Sequence, residues 1–217
     1  MYDYDESRLR MLGVPYVISS SGKTVPEDTG AYPKSALVTI DTEIESQNMI
    51  DYLCNCGHKR IAFITSRDEG LGRCHLNGYK RALEKNGLEY DEKLIIRLKP
   101  AKRIYTIENG YNCTCELLKS GVDFSCIYAI SDTLAVGACR AIIDSGKRVP
   151  EDYCVAGADG QDIAEYYHPS ITTLKYPRVE TAQQSVRTLF DLIDRKKVVK
   201  RQILGGTLIE RESTRKL

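Results

Sequence analysis

From residue 43 onward, apolar positions at helical spacing alternate with short apolar runs, the pattern of a parallel sheet with helices on its faces. Ile44, Met49, Ile50, Leu53 and Cys54 fall on one helical stripe, Gly57 is placed to cap that helix, and Arg60 to Thr65 reads as a buried strand. A loop containing Gly70 and Gly72 follows. Tyr79, Ala82 and Leu83 mark a second helix stopped by Asn86-Gly87, and Leu94 to Leu98 is the next strand, ended by Pro100. Two more units repeat the theme: helix 111–118 with strand 126–130, then helix 134–143, stopped near Gly146, with strand 153–156.

Beyond Gly157 the rhythm changes. Pro169 and Pro177 bracket Ile171 to Leu174, a short extended segment. Val179, Ala182, Val186, Leu189, Phe190 and Ile193 then form one apolar stripe over four helical turns, followed by extended pieces at 202–204 and 207–209. Residues 1–40 match neither block: Leu9 and Leu12 suggest a short helix, 14–18 a strand, 19–34 a polar loop, and 36–40 another strand.

The chain has 217 residues, 42% hydrophobic and 28% charged, the profile of a globular protein with one or two folding units. Its apolar runs fall far short of the roughly 20 residues of a bilayer span. Asp3, Asp5 and Glu6 stand where an export signal needs cations, so the expected location is cytoplasmic. Lysine plus arginine number 31 against 30 acidic residues, a balance that argues against a surface built mainly for nucleic acid or anionic lipid. Eight cysteines at 54, 56, 74, 113, 115, 126, 139 and 154 are too sparse for a disulfide scaffold and read as small apolar residues.

Ligands of an open parallel α/β sheet gather at the carboxyl ends of the strands, where loops converge and helix N-termini present free N–H groups. That edge should hold Ser66 to His75, Tyr105, Ser131, Asp132 and Asp159, hydroxyls and carboxyls beside aromatic rings, a lining suited to a sugar. Ser131-Asp132 equally suits the N-terminus of the helix that follows, and both roles are compatible.

Other motifs fail on spacing. Gly70-Leu71-Gly72-Arg73-Cys74-His75 has His75 at the third glycine position of a dinucleotide fingerprint, and Gly22-Lys23-Thr24 has Val17 at the first glycine position of a P-loop, with Gly30 and Pro33 interrupting any long helix afterwards. Cys54-x-Cys56-x-His58 has no second ligand pair to complete a zinc site. His58, His75 and His168 stand in no recognisable nucleophile frame, so neither catalysis, nor a metal, nor a cofactor is expected. The basic run from Arg195 to Arg201 reads as a solvated helix end.

Several strings in order resemble the LacI/GalR family of bacterial transcription regulators. They are Leu53 with Gly57 to Ile64; Asn77-Gly78-Tyr79 with Ala82-Leu83; Ser131-Asp132 with Ala135 and Gly137; Gly146 with Val149-Pro150-Glu151-Asp152; Gly157 with Asp159; Pro169 with Thr172-Thr173; and Arg211 with Ser213-Thr214. The resemblance covers roughly residues 9–217, and Lys175-Tyr176-Pro177 with the ending from Arg211 to Leu217 look nearest to its arabinose-repressor branch.

The resemblance implies a periplasmic-binding-protein-like α/β fold of two Rossmann-like lobes with parallel sheets, clamping a small effector, a mono- or disaccharide, and relaying its capture to a DNA-reading headpiece through a homodimer. Residues 1–40 and 175–205 would form a partial N-terminal lobe exposing sheet edges and apolar surface, and 42–173 with 206–217 the C-terminal lobe. The family's helix-turn-helix has no counterpart in this sequence. By position, Asp159 matches a hydroxyl-binding aspartate, Tyr128 and Tyr105 aromatic stacking positions, and Ser131 and Tyr176 polar ligand contacts. Two departures stand out: His75 replaces an arginine, with Arg73 two residues earlier, and Glu45 stands where glycine is usual. The expected ligand-binding set is therefore Arg73, His75, Tyr105, Tyr128, Ser131, Asp132, Asp159 and Tyr176. A sugar receptor for transport shares this fold and is the competing expectation.

Overall fold

The computed structural model describes residues 6–21, 32–67, 70–100 and 102–217. Asp3, Asp5, Gly22-Lys23-Thr24 and Gly30 lie outside the described residues. In chain order the elements are α1 (Glu6–Met11), β1 (Tyr16–Ser21), β2 (Ser35–Ile40), α2 (Thr42–Asn55), β3 (Ile61–Thr65), α3 (Gly70–Lys85), β4 (Ile95–Arg97), α4 (Ile107–Lys119), β5 (Cys126–Ala129), α5 (Asp132–Asp144), β6 (Cys154–Asp159), α6 (Asp162–Tyr166), β7 (Thr172–Lys175), α7 (Arg178–Ile193), β8 (Arg201–Leu204) and β9 (Thr207–Ile209). They group into two compact units, residues 1–41 with 177–205 and residues 42–176 with 206–217.

The first unit carries a three-stranded parallel sheet in the order β1-β2-β8. Its centre strand β2 is buried at every residue, as expected of a strand covered on both faces. Tyr16, Ile18 and Leu37 form a small core cluster, with Leu9 and Tyr32 packed against it. The first strand begins two residues later than the sequence pattern suggests. Pro15 has no N–H to give a ladder, and the first such bond runs from the Tyr16 amide to the Lys34 carbonyl at 3.0 Å. Lys200 is not simply solvated: its ammonium donates to the carbonyls of Tyr32, Pro33 and Ser35, clamping the entry to β2. The α7 stripe is largely exposed. Val179, Val186, Phe190 and Ile193 face outward, while Thr181, Thr188 and Leu192 are buried.

The second unit carries a six-stranded sheet in the order β4-β3-β5-β6-β7-β9, parallel except for β9, which runs antiparallel to β7. Every residue of β3 and β5, and of β6 up to Ala158, is buried, so the apolar runs of the sequence are strands covered on both faces. Leu94 lies in a short 3₁₀ turn over Glu92–Leu94 rather than in β4. Cys56, Cys74, Cys126, Cys139 and Cys154 are buried as free thiols, whereas Cys54, Cys113 and Cys115 are half-buried.

The α2 face differs from its hydrophobic pattern. Ile44 is half exposed, and Glu43, Glu45 and Ser46 turn inward. Each buried carboxylate has a charge or dipole to meet: Glu43 pairs with Arg81 at 2.5 Å, and Glu45 accepts the Gly206 N–H at 2.7 Å. Among the described residues, no helix is long and apolar enough to cross a membrane.

Helices α4 and α5 approach so closely that glycine is required between them. A Cβ on Gly137 would stand 2.1 Å from the Ile107 carbonyl oxygen and 2.6 Å from the Tyr111 nitrogen, both rigid backbone atoms. Gly137→Ala should therefore force the helices apart, cost about 1–3 kcal/mol and lower the thermal midpoint by roughly 3–10 °C. Differential scanning calorimetry checks this, and an unchanged midpoint contradicts the contact.

Candidate functional site

All eight expected ligand-binding residues fall in the second unit, and the carboxyl edge of its parallel sheet gathers most of them. Asp132 opens α5 directly after β5 and is completely buried. Its two oxygens are both engaged: Oδ1 accepts the Thr173 hydroxyl of β7 and Oδ2 accepts the Gln161 backbone N–H after β6, each at 2.6 Å. Gly157 makes room for this carboxyl, because a Cβ there would lie 2.4 Å from Oδ1. Asp132 is thus a brace across three strand ends, and not a side chain open to a ligand as the sequence implies. Burial pushes its pKa up to about 7, although the Thr173 and Gln161 hydrogen bonds pull it down.

Asp159 closes β6 with φ at 104°, a left-handed conformation that few side-chain-bearing residues adopt. The strain is spent at the strand end: it turns the chain sharply, and the half-buried carboxylate accepts the Gln161 side-chain amide at 2.9 Å. Gln161 consequently bridges Asp132 and Asp159, a role with no signal in the sequence beyond its place after Gly160. Tyr176 follows β7, and its amide points toward the Asp159 carbonyl at 3.5 Å. Its ring is buried, and its hydroxyl has no hydrogen-bond partner among the described residues.

Ser131 takes the N-cap position of α5, but its hydroxyl makes no capping bond. Instead it pairs with the Thr133 hydroxyl at 2.9 Å, and Thr133 donates to the Tyr105 carbonyl at 3.2 Å. This hydroxyl relay draws the loop before α4 to the start of α5, where Tyr105 is 40% exposed.

Tyr128 and His75 occupy a different layer. Tyr128 is fully buried, its ring stacked on Phe63 at 5.3 Å, and Phe63 stacks in turn on Tyr79 at 4.9 Å. The expected stacking role of Tyr128 is therefore corrected: its ring is taken by core aromatics and only its hydroxyl is left for polar work. That hydroxyl lies 3.2 Å from Ser46 Oγ, which lies 2.6 Å from His75 Nδ1. With the Nε2–H tautomer, Ser46 donates to His75 and accepts from Tyr128, so one proton order satisfies all three groups. His75 is also buried, and desolvation pulls its pKa down to about 4, so it is uncharged at neutral pH and does not replace the charge of the arginine usual there. Arg73 lies on the exposed side of α3. Ser46 and Glu45, from α2, were absent from the expected set, and only the departure from glycine at Glu45 hinted at them.

A groove of 460 Å³ between α4 and α5, lined by Tyr111, Cys115, Leu118 and Asp144 among others, contains none of the eight candidates. Among the described residues, no cluster of histidine, cysteine or acidic side chains has the arrangement of a metal site.

The sequence matches the family model of the periplasmic binding protein-like domain over residues 50–214. It is 35% identical over 212 residues to the HTH-type transcriptional regulator MalR of Clostridium butyricum, covering 97% of this chain and 61% of that protein. The chain thus spans about three fifths of the length of this curated relative. Among solved structures, a sugar-binding transcriptional regulator of the LacI family from Escherichia coli, complexed with phosphate, superposes with a TM-score of 0.79 at 30% identity, covering 91% of this chain and 68% of the other. The transcriptional regulator CelR in complex with cellobiose gives a TM-score of 0.81 at 32% identity, with 96% and 62% covered.

His75 and Asp132, both buried, act on stability in opposite directions. Between about pH 4 and the ordinary value of 6.5, unfolded His75 holds a proton that the folded chain lacks, so its contribution rises with pH. The Asp132 contribution is fully present below 3.8 and is lost as pH climbs to about 7, because there the folded chain holds the extra proton. Each slope is about 1.4 kcal/mol per pH unit, and where the windows overlap they offset. Relative to the wild type, His75→Gln should make stability fall as pH rises across that overlap, and Asp132→Asn should make it climb. Urea midpoints at about pH 4.5 and about pH 6 read both slopes; parallel profiles for all three proteins contradict the assignment.

Proposed function

This chain belongs to the LacI/GalR family and carries its periplasmic-binding-protein-like domain, and on that premise we propose that it is the effector-binding module of a sugar-responsive transcriptional regulator. The observation that carries this reading is the meeting of Ser131, Asp159 and Tyr176 at one edge of a parallel sheet, held there by the buried Asp132 brace. A half-buried carboxylate, a hydroxyl pair and a phenol without a hydrogen-bond partner among the described residues supply acceptors and donors for ring hydroxyls, while the partly exposed Tyr105 supplies an aromatic ring for the apolar side of a pyranose or furanose.

The effector class is a mono- or disaccharide, in keeping with the solved CelR–cellobiose complex. Binding, rather than bond-making, is the output: an effector that prefers one conformation of the module shifts its population by the difference in affinity. In the full regulator, a helix-turn-helix of a homodimer contacts DNA and reads that shift. The name of the HTH-type relative favours this over a transport receptor.

Titration calorimetry with mono- and disaccharides, cellobiose included, should find a ligand of this chain. Asp159→Asn tolerates the left-handed backbone but removes the charge, and hydrogen bonds to charged groups contribute about 1.5–3 kcal/mol. The expected loss is therefore roughly 10- to 150-fold in affinity. Unchanged affinity in that variant removes Asp159 from the site.

A further inference from the structure

We propose that Gln161 is a positioning residue for effector capture: with Asp132 and Thr173 it keeps the Asp159 carboxylate from folding back onto its own turn, and its side-chain amide holds that carboxylate for the sugar. The inference rests on the reading of this edge as a sugar site and deepens it by assigning what makes Asp159 available there.

An aspartate that leaves a strand in a turn has a ready partner in its own backbone, because its carboxylate can accept the N–H of the residue two places on. Such a bond would satisfy Asp159 locally and withdraw an acceptor from any ligand. Here the two N–H groups that follow Asp159 go to other acceptors. The Gly160 N–H donates to Thr173 Oγ1 at 3.3 Å, and the Gln161 N–H donates to Asp132 Oδ2 at 2.6 Å. The Thr173 hydroxyl in turn donates to Asp132 Oδ1 at 2.6 Å, so one hydroxyl and one carboxyl take up both donors. Thr173 and Asp132 are completely buried, and the turn is therefore held from inside the fold.

The path of the turn is fixed as well. Asp159 and Gly160 both have left-handed backbones, with φ of 104° and 66°. A Cβ on Gly160 would stand 2.6 Å from Lys175 Cα, so only glycine fits against β7 there.

Gln161 completes the arrangement. It occupies the N-cap position of α6, yet its side chain makes no capping bond. The side chain turns back instead, and Nε2 donates to Asp159 Oδ2 at 2.9 Å. An uncharged amide steadies the carboxylate by one hydrogen bond without the competing charge that a lysine or arginine would bring.

The test is a double-mutant cycle read by calorimetric titration of the whole chain with cellobiose and ribose. Gln161→Met keeps the length of the side chain and the backbone N–H to Asp132 but removes the amide, and should weaken the saccharide that binds about tenfold. In the Asp159→Asn background the same change should cost less than about threefold, because Gln161 acts through the carboxylate. Gln161→Glu sets a second carboxylate against the first and should weaken binding more than Gln161→Met does. A purely structural role would lower affinity equally in both backgrounds. That result, or no loss with Gln161→Met, overturns the proposal and leaves the sugar reading standing. The pair is also read without ligand, by the nuclear magnetic resonance signals of the Gln161 side-chain amide. These should move in Asp159→Gly, which tolerates the left-handed backbone, and signals that stay in place overturn the proposal whatever the saccharides do. Failure of every saccharide to bind the wild type removes the sugar reading, and the inference falls with it.

Discussion

The Asp132 carboxyl accepts a backbone N–H from the loop after β6 and a hydroxyl from β7 while opening the helix that follows β5. Three strand ends that are far apart in sequence are thereby held at one point, and the positions of Ser131, Asp159 and Tyr176 follow from it. A carboxyl this deeply buried is tolerable because both oxygens are hydrogen-bonded. Burial also raises its pKa to about 7, so part of the charge is lost near neutral pH, which lowers the electrostatic cost of the site.

Above that brace, polar groups are arranged in pairs rather than singly. Gln161 spans Asp132 and Asp159, Thr133 spans Ser131 and the Tyr105 carbonyl, and Ser46 spans Tyr128 and His75. Each bridging residue ties two others together, through a side chain or a backbone carbonyl, so less ordering is left to be done on binding. The Tyr176 hydroxyl is one of several buried hydroxyls without a hydrogen-bond partner among the described residues, and its backbone lies beside Asp159, which is why it is the one assigned to the ligand.

Much of the fold was legible in the chain. Apolar runs of four to six residues between amphipathic segments marked the parallel strands, and the order of short strings from Gly57 to Thr214 pointed to the family. The candidate edge was legible too, since residues directly after a strand of a parallel sheet must lie at its carboxyl end. Individual roles were less so. Tyr128 and Asp132 carry the residue types of a ligand site, yet one ring is stacked on Phe63 and one carboxyl is consumed by Thr173 and Gln161. Arg73 and His75, two residues apart on α3, lie on opposite sides of that helix, one exposed and one buried.

What the sequence determined by itself was therefore the alternation of elements, the location of the carboxyl edge and the kind of groups available there, because strand and helix periods are local properties of the chain. Only the tertiary structure decided which of those groups remain open to a ligand. The partners that close off Asp132 and Tyr128, and the inward turn of Glu45 toward Gly206, join residues separated by 29 to 161 positions. Periodicity records which face of an element is apolar, but not what another element brings against it, and on α2 and α7 the two came apart: carboxylates turned inward on one and valines outward on the other.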